Sequence, residues 1–122
     1  MTEILTFNDL QNKITNLNQH KLIIKFTADW CNPCKTIQPL VNEFIQQIRN
    51  NDLKIIYYEI NIDESIDLYI KFKKFKLLNG IPAIFLYDGN QTIDPEKWYI
   101  PHNSVLGANK ILVQEFFNSC LT

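Results

Sequence analysis

Phe26-Thr27-Ala28-Asp29-Trp30-Cys31-Asn32-Pro33-Cys34-Lys35 joins an apolar strand to a helix and carries two of the chain's three cysteines, separated by two residues. Upstream, Leu22-Ile23-Ile24-Lys25-Phe26 reads as a strand. Its apolar residues fall on both faces, which places it centrally in a sheet covered by helices on either side. Downstream, Ile37, Leu40, Val41, Phe44, Ile45 and Ile48 recur at helical spacing and predict a helix from Cys34 to Arg49. Pro33 suits the first turn, where a missing N–H costs nothing, whereas Pro39 lies inside the helix and should kink it.

Two thiols at a helix start can close a small disulfide ring without moving the fold. The first, Cys31, faces unpaired N–H groups and the positive end of the helix dipole, which stabilises its thiolate and makes it a nucleophile. Cys34, one turn in and shielded, can attack a mixed disulfide formed by the first. Half of a zinc site is the competing reading of C-x-x-C, but Cys120, His20 and His102 are not at the paired spacing that would complete four ligands. A third reading, two inert core cysteines, fits poorly with Trp30, Pro33 and the helix start.

The wider composition narrows the function classes. A length of 122 residues predicts one domain spanning 1–122, and 46% hydrophobic residues suffice for one ordinary core. Twelve basic against thirteen acidic residues give a net charge of -1, without the basic field that nucleic acid demands. Three cysteines are too few for a secreted disulfide framework, and Met1-Thr2-Glu3-Ile4-Leu5-Thr6 has neither a basic region nor a long apolar one. The expectation is a reducing, cytoplasmic compartment. No apolar run approaches the ~18–20 residues of a membrane span, so no membrane partner is expected.

Working outward, Ile4-Leu5-Thr6-Phe7 reads as a short strand, and Asn8 with Gln11 resembles a capping box for a helix carrying Leu10, Ile14 and Leu17 inward. Leu53 to Ile62 is β-rich, and Ile66 to Leu78 is predicted helical. Ala83 to Tyr87 forms a strand ending at the turn Asp88-Gly89. The return passes Pro95, Trp98, Tyr99 and Pro101 before Gly107, and Ala108 to Leu121 closes the chain as a helix. This succession implies an α/β fold, a mixed sheet with helices on both faces.

The stretch from Phe26 to Lys35, with Pro39 five residues past Cys34, resembles the active-site segment of the thioredoxin family. Asn61-Ile62-Asp63 is similar to that family's third-strand end, Gly80-Ile81-Pro82 to its cis-proline loop, and Leu106-Gly107-Ala108 to the glycine turn into its last helix. The resemblance implies a thioredoxin fold: a central mixed five-stranded sheet flanked by about four helices. It also implies thiol–disulfide exchange without a cofactor beyond the Cys31–Cys34 pair, and without metal. Cys31 would attack a protein disulfide and Cys34 would resolve the mixed disulfide. Trp30, Ile81, Pro82 and Gly107 would line the substrate groove, with the Ile81 backbone pairing to an extended substrate segment. The implied partners are disulfide-containing proteins and a reductase as electron donor, and the expected state is a monomer.

The sequence departs from that family at three places. An acidic residue commonly stands six positions before the first active-site cysteine; here it is Lys25. Charged, it would favour thiolates and make the couple more oxidising; alternatively it reaches a water pocket or pairs with Asp29 or Glu59. Asn32 replaces a common Gly ahead of Pro33, so Lys25, Asp29, Asn32 and Pro33 are the residues expected to tune the potential. Third, the segment from Gly89 to Gly107 exceeds a tight hairpin. Its Trp98, Tyr99 and His102 are either substrate contacts or a cover for a sheet edge. The functional reading is a cytosolic protein-disulfide reductase. A disulfide oxidase or isomerase, and a non-catalytic binding module of the same fold, are its alternatives.

Overall fold

The computed structural model describes residues 5–122. Nine elements follow in the order α1 (Phe7–Thr15), β1 (Lys21–Thr27), α2 (Asn32–Thr36), α3 (Gln38–Asn50), β2 (Ile55–Asn61), α4 (Ile66–Lys74), β3 (Ala83–Asp88), β4 (Asn103–Leu106) and α5 (Lys110–Cys120). The sheet runs β2-β1-β3-β4; β1 lies parallel to β2 and antiparallel to β3, and β4 returns antiparallel along β3. As the apolar pattern implied, β1 is central and helices cover both faces.

Three expectations are corrected. Among the described residues the sheet has four strands, not five. Of the strand expected at Ile4–Phe7, Ile4 lies outside the described residues, Leu5 gives its N–H to the Ser65 hydroxyl at 3.1 Å, and Phe7 already opens α1. The capping box sits earlier than Asn8 and Gln11: Thr6 Oγ1 accepts from the Asp9 N–H at 3.1 Å and the Thr6 N–H donates to the Asp9 carboxylate at 3.0 Å. A hydroxyl with a carboxylate three residues on satisfies two orphan donors at once, which starts the helix at Phe7. The described helices number five rather than about four, because the helix expected from Cys34 to Arg49 is two. Pro39 has no N–H to return to the Lys35 carbonyl, and the chain breaks at Ile37.

Alternation along β1 divides the core. Leu22, Ile24 and Phe26 face α1 and α4, where they meet Leu10, Ile14, Leu68 and Phe72. Ile23 faces the other way, toward Ile37, Val41, Phe44, Val113 and Phe117. Period-two geometry puts Lys25 on this second face, in the middle of a strand of otherwise apolar buried residues.

The long β3–β4 connection is packed. Trp98 is 4% exposed; its ring lies 4.6 Å from Phe7, while Tyr99 stacks on Phe75 at 4.1 Å. The Tyr87 hydroxyl donates to the Tyr99 carbonyl at 2.8 Å. His102 Nδ1 accepts the Asp88 N–H at 2.9 Å, and its Nε2 lies 3.1 Å from the Thr92 carbonyl, so one imidazole ties both ends of the loop. These aromatics therefore extend the core between α1 and α4 instead of covering a bare sheet edge.

Candidate active site

Cys31 is the N-cap of α2. Its extended backbone leaves β1 through a turn closed by Cys31 N–H donating to the Ala28 carbonyl at 3.1 Å, with Pro33 in the first helical turn. The cap places Cys31 Sγ 3.1 Å from the Cys34 N–H, which donates to it. A hydrogen bond of this kind favours the charged form of the sulfur. Cys31 and Cys34 form a disulfide across Cα atoms 5.3 Å apart, and both residues are buried. Among the described residues, no three His, Cys, Asp or Glu side chains gather as metal ligands would.

The antiparallel register brings a second loop to the same end of the sheet. Ala83 pairs with Phe26, so the residues ahead of β3 stand beside the turn that carries the cysteines, and Ala28, Cys31, Cys34 and Ala83 share one packed cluster. The Ile81–Pro82 peptide bond is cis. The Pro82 carbonyl accepts the Gly107 N–H at 2.9 Å, where Gly107 takes a φ of 89° that only glycine adopts without strain. Asn79, Gly80, Ile81, Pro82, Leu106 and Gly107 line an open groove of about 310 Å³. Trp30 stands 63% exposed, its indole N–H held by the Asp63 carboxylate at 2.9 Å.

Lys25 is fully buried. Its Nζ donates to the Cys34 carbonyl at 3.3 Å and to Gln38 Oε1 at 2.8 Å. Burial pulls its ammonium below the ordinary lysine value, and the charge of Glu59 opposes that shift. Of the partners weighed from sequence, Asp29 is exposed on the turn, and Glu59 is reached through the Gln38 amide. Asn32 and Pro33 are exposed in the first turn of α2.

Sequence reasoning passed over Gln38 and the Trp30–Asp63 bond. Gln38 stands four residues after Cys34, one helical turn, which was a usable signal. The Trp30–Asp63 bond joins residues 33 apart and had none.

The thioredoxin family model matches residues 1–106. The chain belongs to the thioredoxin family. A thioredoxin of Coprinus comatus is 29% identical over 121 residues, 99% of each chain, and thioredoxin 1 of Chlorobaculum tepidum is 33% identical over 70 residues, 57% of this chain and 62% of that one. The X-ray structure of Fasciola hepatica thioredoxin superposes with a TM-score of 0.67 over 98% of both chains at 19% identity, a likeness of fold. With its family and its Cys31–Cys34 disulfide, this chain is a thiol–disulfide oxidoreductase.

Proposed function

We propose that the chain is a cytosolic protein-disulfide reductase, one domain acting as a monomer and recharged by a separate reductase. The observation that carries this reading is Cys31 at the α2 N-cap with the Cys34 N–H on its sulfur, beside the cis-Pro82 loop. Cys31 thiolate attacks one sulfur of a substrate disulfide, the substrate S–S bond breaks, and one substrate thiolate leaves and takes up a proton. Cys34 then loses its proton and attacks Cys31 Sγ. The mixed disulfide breaks, the second substrate thiol departs, and the protein holds Cys31–Cys34: two electrons and two protons pass to the substrate. Trp30 and Gly107 flank an extended substrate segment, and Ile81 pairs with it as an added strand.

Disulfide oxidation is the second reading, supported by Lys25 beneath the dithiol, because a cation there stabilises the reduced pair's thiolate and raises the potential. Two measurements separate these readings. Cys34→Ser should trap protein substrates as mixed disulfides, whereas Cys31→Ser should trap none; equal trapping by both would sink the assigned roles. A glutathione titration of the wild type places the couple among reductants or oxidants, and a potential near ~−120 mV would give the oxidase reading the better claim.

A further inference from the structure

Lys25 and Glu59 are register partners on β1 and β2, and between their side chains stands the amide of Gln38. Gln38 Oε1 accepts from Lys25 Nζ at 2.8 Å, while Nε2 donates to Glu59 Oε2 at 3.2 Å and to Asn42 Oδ1 at 2.9 Å. Reversing the amide would set its oxygen against a carboxylate and a second carbonyl, so the three partners fix its orientation. The amide dipole thus points its positive end at Glu59 and its negative end at the lysine. Glu59 Oε2 is held in turn by the Tyr57 hydroxyl at 3.1 Å.

Among the described residues, the remaining surroundings of Lys25 are uncharged. Cys34 comes from α2 and Gln38 from α3, β3 presents Ile84, and α5 brings Val113 and Phe117 to this face. From β2 come Glu59 and Tyr57, and burial beside Glu59 pushes the Tyr57 phenol well above its ordinary value, so that it stays neutral. Among the described residues, Glu59 is the one opposite charge that acts on the lysine.

We infer that Glu59, acting through Gln38, is a positioning residue of the dithiol reaction, holding the Lys25 amine protonated beneath Cys34 so that Cys34 more readily becomes the resolving thiolate. This rests on the roles proposed for Cys31 and Cys34. In the resolving step the Cys34 S–H bond breaks and its proton leaves to solvent base; the new thiolate forms the Cys31–Cys34 bond as the bond from Cys31 to the substrate breaks. Lys25 exchanges no atoms in that step. Its charge lowers the cost of the thiolate.

The sign of one substitution discriminates. If Glu59 acted directly on the sulfurs, Glu59→Gln would remove a negative charge, favour thiolate and make the couple more oxidising. Acting through Lys25, Glu59→Gln lets the lysine lose its proton more easily, disfavours thiolate and makes the couple more reducing.

The experiment is a glutathione titration of wild type, Glu59→Gln, Gln38→Met, Lys25→Met and the Lys25→Met/Glu59→Gln pair from neutral into alkaline pH. Glu59→Gln should favour the disulfide form about threefold where the lysine titrates, and Gln38→Met should follow it. In the Lys25→Met background, Glu59→Gln should give no reducing shift. An oxidising shift, an unmoved midpoint, or the same shift in both backgrounds overturns the inference. Gln38→Met decides if Glu59→Gln does not fold. A wild type without any Cys31–Cys34 titration would instead overturn the redox roles themselves.

Discussion

Lys25 Nζ lies 3.3 Å from the Cys34 carbonyl oxygen, to which it donates, tying the central strand to the helix that carries the second active-site thiol. A lysine at this depth must bring hydrogen-bond partners, because an unpaired buried ammonium is expensive. Cys34 and Gln38 supply them, one turn apart on either side of the break at Ile37.

That burial makes stability depend on pH. The Lys25 ammonium is held below its ordinary value, so between its folded value and ~10.4 the unfolded chain binds the extra proton, and stability rises with pH across that window. Lys25→Met lacks this rise. Urea unfolding of both proteins should show the variant's stability relative to wild type greatest below the folded value of Lys25 and declining above it. Hydrogen bonds lost in the variant shift the difference by a constant and leave its slope intact. Parallel pH profiles would mean that the lysine titrates alike in both states.

Much of this arrangement was legible in the sequence. Strand β1, the thiols at a helix start and the inward face of Lys25 follow from local periodicity and capping. What was not legible depends on partners distant in sequence. Glu59 stood beside Asp29 as a partner for Lys25, and choosing between them needs the β1–β2 register; the bond from Trp30 to Asp63 needs the loop after β2 folded back. Locally, Thr6 and Asp9 beat Asn8 and Gln11 to the helix cap, a shift of two residues that makes Phe7, expected in a strand, the first residue of α1. Trp98 and Tyr99 had two readings because an aromatic in a long loop looks the same whether it packs inward or waits for substrate.

Cys120 should behave as an inert thiol. It is fully buried in the layer of Phe44 and Phe117, and burial pushes it from an ordinary 9.0 to about 11, against the pull of Lys21. In the oxidised protein a maleimide should label no thiol until denaturant is added, then one per chain. Because the folded value is raised, stability present below 9.0 is lost as pH climbs through about 11, and Cys120→Ala should lose less over that range. Rapid native labelling would show that the C-terminal helix opens.

Gly89→Ala should destabilise the fold without touching the chemistry. A Cβ at Gly89 would collide with the backbone oxygens of Asn18 and His20 and with Leu17 Cβ, and the Gly89 N–H already donates to the His20 carbonyl at 2.9 Å. Overpacking of this kind costs ~1–3 kcal/mol, which the midpoint of urea unfolding reads. Asp88 pairs with Lys21 at the start of β1, the end of the sheet opposite the cysteines. The glutathione midpoint should therefore stay put; a changed midpoint would contradict this separation.

Trp98 decides what the long β3–β4 loop is for. Its ring lies 4.6 Å from Phe7 and 5.8 Å from Tyr99, edge-on to the latter, and Tyr99 stacks on Phe75 at the end of α4. Residues from three segments meet there, so the loop's first effect is to tie α1 to α4. Trp98→Ala should cost ~3–5 kcal/mol through the cavity it leaves, and Trp98→Phe less, since part of the ring volume stays. Both variants, kept at a temperature where they remain folded, should reduce a disulfide-bonded protein substrate at the wild-type rate, because the groove at Pro82 and Gly107 is built from other residues. Substrate contact predicts the reverse: a slower exchange rate from Trp98→Phe with an unchanged urea midpoint. Observing that pattern would move the loop from the core to the binding surface.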